Sequence, residues 1–120
     1  MRIITKTILT IVTILLANAC ATTPTMKSVA GEYEVVDAGT TYIEVLLENG
    51  VHKERTKGKS DERQYKWQIS KDGEIHLGNR FGGITVCRVN SEGNLIVVAH
   101  INKGEKRRDG PNRLILEKIK

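Results

Sequence analysis

The chain has 120 residues and a formal net charge of +5, and this length leaves room for one domain of modest size. Two of its 19 basic residues, Arg2 and Lys6, belong to an N-terminal leader; the remaining 17 against 14 acidic residues give only +3, too small an excess to indicate nucleic-acid binding. Gly is frequent (11 residues) and Pro is scarce (2 residues), a composition that favours many turns and argues against a disordered low-complexity chain.

The first 19 residues have the three parts of a bacterial secretory signal peptide. Arg2 and Lys6 give a basic start, and residues 7–17 (TILTIVTILLA) are an apolar run. This run is too short for a membrane-spanning helix, which needs about 20 residues. Small residues at 17–19 then precede a cleavage point. We therefore predict a signal peptide over residues 1–19 and an exported protein of the bacterial cell envelope.

Cys20 directly follows the predicted signal peptide. The run Leu16-Ala17-Asn18-Ala19-Cys20 resembles the lipobox of bacterial lipoproteins, although the usual Leu three positions before Cys is here Ala17. The resemblance implies that Cys20 is acylated and anchors the protein in a membrane, facing the periplasm or the cell exterior. The same residues also form an Ala-x-Ala site for the ordinary signal peptidase, which would release a soluble protein. Residues 20–28 are small and polar, and are predicted to be the lipidated Cys and a flexible tether.

Residues 29–120 form the predicted domain. Short runs that alternate apolar and polar residues are separated by Gly-containing turns at about ten-residue spacing, which is typical of an antiparallel β-meander. The predicted strands are residues 29–36, 41–48, 51–56, 63–70, 74–77, 84–90, 95–101, 105–109 and 114–119. Asn49-Gly50 predicts a type I′ hairpin turn. The fold prediction is all-β, an antiparallel meander of about eight to nine short strands curled into a partly or fully closed barrel and preceded by a signal-peptide helix.

The alternation assigns charged residues such as Glu44 to solvent and a mostly aliphatic set to the interior. The predicted interior residues are Tyr33, Val35, Ile43, Val45, Leu47, Tyr65, Trp67, Ile69, Ile75, Leu77, Leu95, Val97, Ala99, Ile101, Leu114 and Leu116. An eight-stranded barrel is just wide enough for such side chains to fill it. We therefore expect a packed interior without a large ligand cavity.

A second resemblance covers the domain. The motifs Gly31-Glu32-Tyr33, Asn49-Gly50, Trp67-Gln68-Ile69, Asp72-Gly73-Glu74-Ile75 and Glu92-Gly93-Asn94-Leu95 resemble small exported bacterial proteins of lipocalin-like architecture, mostly of unknown function. The resemblance implies a barrel and says nothing of activity. The chain departs from true lipocalins in having Tyr33 where their Gly-x-Trp has Trp, in being far shorter, and in lacking a helix after the last strand.

The three histidines, His52, His76 and His100, lie on separate predicted strands without the short spacing of metal ligands, and are interpreted as surface residues. Cys87 is interpreted as a small buried hydrophobe, or as a disulfide partner if Cys20 is not acylated.

The sequence contains no Ser-His-Asp spacing, phosphate-binding loop or cofactor fingerprint. Carboxylate pairs such as Asp61-Glu62 fit the solvated face of a strand. We predict no enzymatic activity, no cofactor and no metal.

Basic residues form two groups. Lys53, Arg55, Lys57 and Lys59, here the basic strip, occupy alternate positions and would share one face of an extended strand. A second group, Lys106, Arg107 and Arg108, follows the most apolar strand. Either group could bind anionic lipid head groups or an anionic envelope polymer. Alternatively, the lysines protect a strand edge from aggregation.

Two functional hypotheses follow from the sequence. The first is a non-enzymatic cell-envelope lipoprotein, an interaction or structural module that binds a protein or an anionic envelope component. The second is a lipocalin-like carrier of a small apolar ligand inside the barrel. Nucleic acid is not an expected partner of either.

Overall fold

The structure, a computed structural model, describes residues 23–110 and 113–120. The predicted signal peptide and the predicted lipidation site Cys20 lie outside the described residues. Within the described part of the chain, no helix has the length and apolarity needed to cross a membrane.

The described residues form one short helix and nine strands, all paired antiparallel. The elements are α1 (Met26–Val29), β1 (Gly31–Asp37), β2 (Thr40–Leu46), β3 (Val51–Thr56), β4 (Glu62–Ile69), β5 (Ile75–Gly78), β6 (Ile84–Val89), β7 (Leu95–Asn102), β8 (Glu105–Arg108) and β9 (Ile115–Lys118). The prediction of an all-β antiparallel meander is confirmed.

The strands close into an eight-stranded barrel. Strands β1 to β7 pair in chain order, and β9 pairs with both β1 and β7. Along β7, Leu95 pairs with Leu116 of β9, whereas Ala99, further along the strand, pairs with Arg108 of β8. The β7–β8 hairpin therefore extends the sheet beyond the place where β9 closes it. Closure pairs both edges of the meander, which would otherwise be open to aggregation.

The turns differ in part from the sequence prediction. Asn49-Gly50 does not form a type I′ turn, because only Gly50 has a positive φ (+89°) and its N–H donates to the Leu47 carbonyl at 3.0 Å. The four-residue connection instead fits a type I turn followed by a left-handed Gly. A two-residue turn with positive φ at both positions occurs at Ala38-Gly39 (51° and 81°), between the paired residues Asp37 and Thr40.

One end of the barrel, the closed end, is covered by α1. The helix is capped by reciprocal bonds between Thr25 and Ser28. Its last residue, Val29, is buried in the core, and its carbonyl accepts the Tyr33 hydroxyl. The segment predicted as a flexible tether thus contains a helical turn packed on the barrel. Trp67, predicted to lie in the core, is also buried in this half.

The sequence prediction for β2 was one residue out of phase. Leu46 and the two residues at alternate positions before it, Glu44 and Tyr42, face the interior, with Glu44 opposite the buried Tyr33. Ile43, Val45 and Leu47, predicted inside, lie on the outer face.

Ile43 is nonetheless only 4% exposed. Its neighbours in register are Glu34 and Arg55, whose aliphatic stems can cover an apolar residue while their charges stay in water.

A β-bulge changes the phase of β7. The register with β6 shifts between Val86 and Cys87, so that Val98 is the extra residue. Before the bulge, Leu95 and Val97 face inward as predicted. After it, His100 faces inward opposite Thr85, and the predicted interior residues Ala99 and Ile101 face outward. A bulge inserts one unpaired residue and therefore reverses the alternation beyond it.

Candidate functional site at the open end of the barrel

The barrel interior has an apolar half at the closed end and a polar half at the opposite end, the open end. The open end holds a cavity of about 180 Å³, here the mouth cavity. This volume is below the roughly 300–1,000 Å³ of typical ligand pockets. Its polar lining residues are Asp37, Tyr42, Glu44, His52, Glu54, Asn79, Arg80, Thr85 and His100.

The floor of the mouth cavity is a buried Glu44–His52 pair. His52 is 2% exposed and Glu44 is 8% exposed, and His52 Nε2 lies 2.9 Å from Glu44 Oε1. His52 Nδ1 lies 3.0 Å from the carbonyl oxygen of Gly78. A carbonyl oxygen only accepts hydrogen bonds, so His52 Nδ1 carries a proton. A second proton lies between Nε2 and the Glu44 carboxyl group, because one of these two groups must donate to the other. The interpretations of His52 as a surface residue and of Glu44 as solvent-facing were wrong.

Beside this pair, Glu54 brings a second carboxylate into the cavity. Glu54 lies opposite Glu44 across the β2–β3 ladder, a placement that is repulsive for like charges. Arg63 offsets it by donating from Nε and Nη2 to Glu54 Oε1 at 3.2 and 3.1 Å. The Glu54 carboxylate in turn raises the pKa of Arg63. A third Arg63 nitrogen, Nη1, donates to Asp61 at 3.2 Å, so the guanidinium is held by two acids.

The rim of the cavity is built by the β5–β6 turn. Asn79 Oδ1 accepts from the backbone N–H of Phe81 at 3.0 Å and of Gly83 at 3.1 Å, which fixes the shape of the turn. The Arg80 guanidinium carbon lies 5.5 Å from the Tyr42 ring centroid and 5.3 Å from that of Phe81. Its Nη2 donates to the Tyr42 hydroxyl at 3.3 Å. Phe81 itself is 79% exposed.

The charge of the mouth cavity is opposite to that of the chain. Among the described residues that line it are three carboxylates, from Asp37, Glu44 and Glu54, against the Arg80 guanidinium and the imidazoles of His52 and His100, which are paired with acids. No described residue donates a hydrogen bond to Glu44 Oε2, and the Glu44 side chain is part of the cavity lining. An acidic cavity with an aromatic rim can accept hydrogen bonds from a cationic or strongly donating group.

The basic strip does not act as one face. Lys53 and Arg55 point outward from β3, but the other two members lie in the β3–β4 turn. Lys53 Nζ lies 3.7 Å from Glu62, and Lys57 Nζ lies 3.3 Å from Glu34. Part of the charge is thus paired with acids, and binding of an anionic surface by the strip stays a prediction.

The second basic group lies on β8, where Lys106 has a buried partner. Its Nζ donates to Glu74 Oε1 at 2.9 Å, and Arg88 donates to Oε2 of the same carboxylate at 3.2 Å. Glu74 is 2% exposed, and the bond from Lys106 lowers its pKa. Lys106 therefore ties the β7–β8 hairpin to the barrel, while Arg107 and Arg108 remain exposed.

Cys87 and His100 complete the set of candidate residues. Cys87 is fully buried in the core, and this burial raises the pKa of its thiol, so it is the predicted small hydrophobe. His100 Nδ1 lies 2.9 Å from Asp109 Oδ1. In the part of the chain that the structure describes, no three His, Cys, Asp or Glu residues converge as a metal site would require.

The sequence did carry a signal for the acidic floor. Two residues between Asp37 and Thr40 set the β1–β2 register, and this register places Glu44 directly opposite Tyr33. If Tyr33 is inside, Glu44 is inside as well, because paired residues share a face. Rim residues such as Arg80 had no comparable signal, since their place depends on the turn alone.

No protein-family model, curated protein or solved structure matches the chain. The resemblance to lipocalin-like exported proteins therefore stays a prediction.

Proposed function

We propose that this protein is a non-enzymatic lipoprotein of the bacterial cell envelope, and that it binds its partner at the open end of the barrel. The observation that carries the proposal is the difference between the two ends. The closed end is filled with apolar side chains and covered by α1, whereas the open end has a charged cavity and an exposed aromatic rim.

The N-terminal segment supports an orientation for this module. Pro24 lies beside Gly73 of the β4–β5 turn, and this turn belongs to the closed end. Cys20 is five residues before the helix cap Thr25, a reach of at most about 18 Å. An acylated Cys20 would therefore hold the closed end towards the membrane and direct the mouth cavity away from it.

Features of the open end favour binding over stability as their explanation. Buried ion pairs such as Glu44–His52 are often no more stabilising than apolar residues of the same volume. Exposed Phe81 contributes nothing to the core, and aromatic and Arg side chains are enriched where proteins bind partners. The non-enzymatic part of the proposal is supported by His52, whose two ring nitrogens are both engaged, and by the buried thiol of Cys87.

The anchor is tested by replacing Cys20. In a bacterium, the full-length chain should incorporate labelled palmitate and partition into detergent, and Cys20→Ser should lose the label. Recovery of the unsubstituted protein in soluble form, starting at Cys20 and without lipid, would show that the ordinary peptidase cleaves here instead.

The binding end is tested by site-specific photocrosslinking in intact cells. A photoreactive residue at Phe81 should give a discrete adduct that is lost with the rim substitution Arg80→Glu. The matched control is the same residue at Glu92, an exposed position in the β6–β7 turn at the closed end. Equal adducts from both positions, or adducts only from position 92, would contradict binding at the open end.

A carrier of a small apolar ligand is the second candidate, and the closed barrel with an internal cavity favours it. Against it, three of the cavity-lining side chains are carboxylates. An apolar ligand beside them would displace their water without replacing its hydrogen bonds, which is unfavourable. Saturable binding of a hydrophobic dye that is lost on substitution of Leu77 or Val97, both in the lining, would favour the carrier.

A further inference from the structure

We propose that the mouth cavity binds a small organic cation, a primary ammonium or guanidinium group on a body about the size of a benzene ring. This inference rests on the proposed use of the open end for binding, and it adds the chemical class of ligand that the mouth cavity takes.

The charge of the cavity selects a cation. Glu44 is more than nine-tenths buried, one of its oxygens is bonded to His52, and the other, Oε2, lacks a donor among the described residues. On the adjacent strand, Glu54 uses only Oε1 for Arg63. Two carboxylates therefore lie side by side, each with an oxygen to which no described residue donates. An N–H donor that carries positive charge makes the strongest such bond and relieves their mutual repulsion.

An anion finds no equivalent partner. Arg63 is already shared between Glu54 and Asp61. Of the basic groups among the described lining residues, the imidazoles of His52 and His100 are bonded to carboxylates. Arg80 lies at the rim over the rings of Tyr42 and Phe81. These ring contacts and the bond to the Tyr42 hydroxyl hold the Arg80 guanidinium at the rim.

The size of the ligand follows from the volume. A dry cavity of about 150 Å³ accommodates benzene in an engineered protein, and the mouth cavity measures about 180 Å³. A single ring with one charged substituent fits, and larger ligands would have to extend past Phe81 into solvent.

The test uses three probes of one shape on the full-length protein in non-ionic detergent. Benzylammonium, benzyl alcohol and benzoate differ in charge but little in size, and their affinities are measured by calorimetric or NMR titration. Benzylammonium should bind at least about tenfold more tightly than benzyl alcohol, since a charge-assisted hydrogen bond is roughly twice as strong as a neutral one. Benzoate should bind most weakly.

Substitutions that should change the affinity for benzylammonium in opposite directions make the test more specific. Glu44→Gln and Glu54→Gln should each weaken benzylammonium binding about tenfold, whereas Arg80→Gln should strengthen it several-fold by removing a like charge. Asp72→Asn, an exposed carboxylate at the closed end, is the matched control and should change nothing. Thermal unfolding of each variant shows whether it folds. If Glu44→Gln does not fold, Glu54→Gln and Arg80→Gln still decide the outcome.

Three results would overturn the proposal. Equal affinity for benzylammonium and benzyl alcohol would mean that the cavity selects by shape alone. Tightest binding of benzoate, weakened by Arg80→Gln, would make it an anion site. Failure of all three probes to bind would refute a small-ligand site, and the crosslinking from position 81 would then decide separately whether the open end binds a partner.

Discussion

Replacing the Glu44–His52 pair with apolar residues tests whether the charged floor of the barrel exists for stability or for binding. In Glu44→Leu or His52→Phe alone, the remaining partner stays buried without its bond, which costs about 3–5 kcal/mol. In the double variant no unpaired charge remains. The new side chains pack against neighbours such as Leu46 and Leu77, which are 1% and 2% exposed.

The expected change in unfolding free energy of the double variant also follows from the structure. Replacing a buried ion pair by apolar residues is often neutral or stabilising by about 1–4 kcal/mol. The Gly78 carbonyl, however, loses its bond from His52 Nδ1, and a buried unsatisfied group costs about 1–3 kcal/mol. The two contributions nearly cancel, so the double variant should be about as stable as the unsubstituted protein although each single variant is much less stable.

Urea unfolding measures this directly through the fluorescence of Trp67, the chain's one tryptophan, which is 3% exposed. The dependence of the unfolding free energy on urea should be unchanged between variants, so that differences in midpoint report stability. A double variant that is destabilised by the sum of the two single effects would show that each side chain stabilises the fold independently of their mutual bond. The polarity of the mouth cavity would then no longer support a binding function.

Other substitutions test the rest of the structure. Trp67→Ala should lower the free energy of unfolding by about 3–5 kcal/mol, measured by circular dichroism, and a near-neutral effect would mean that the residue is not in the core. Burial raises the pKa of Tyr33 to about 12. Stability should therefore be constant below the ordinary tyrosine pKa of about 10 and fall as the pH rises towards the folded value, and Tyr33→Phe should remove that alkaline loss. For Glu74, whose pKa is lowered by Lys106, the carboxylate stabilises the fold above its ordinary pKa of about 4.3, and this contribution is lost as the pH falls through the folded value. Glu74→Gln should therefore be less stable than the unsubstituted protein at neutral pH and approach it in acid; a constant difference at all pH values would contradict the assignment. Changing the whole basic strip to Gln should abolish any salt-sensitive binding of the protein to acidic vesicles. Binding that ignores both salt and the substitutions would refute a role for the strip, and edge protection does not replace it, because β3 is paired with both β2 and β4.

The sequence predicted the strands well because Gly-containing turns at regular spacing mark where a meander reverses. It predicted the interior well where the interior is apolar, as at Tyr33, Trp67 and Leu95. On β2 the prediction failed because it assumed that the more apolar of two alternating sets faces inward. That assumption holds for a packed core, but here Glu44 is buried in the lining of the mouth cavity, and Leu47, which follows β2, is exposed. The error therefore falls on the residues of the candidate site.

The bulge at Val98 shows a second limit of the sequence prediction. Residues 95–101 are apolar on nearly every position, so no alternation remains from which a shift of phase could be detected. The shift brings His100 into the mouth cavity and places Ala99 in a separate outer cluster with Val86 and Val98. Only the pairing of β7 with β6 reveals it.

The placement of the basic strip bears on which anionic target it could bind. Its last two members lie in the β3–β4 turn at the open end, and β3 itself, with six residues at about 3.3 Å each, spans roughly 20 Å from the closed end. The reach from Cys20 to Thr25 is at most about 18 Å and leads to the closed end. A barrel anchored upright would therefore hold Lys57 and Lys59 on the side away from the membrane.

Contact of the whole strip with lipid head groups requires the barrel to lie on its side. The pairing of Lys53 with Glu62 and of Lys57 with Glu34 weakens the electrostatic attraction to the membrane that would turn the barrel in this way. If Cys20 is acylated as proposed, an anionic polymer of the envelope would reach the strip in the upright orientation without any such turn, and would match these residues better than the membrane.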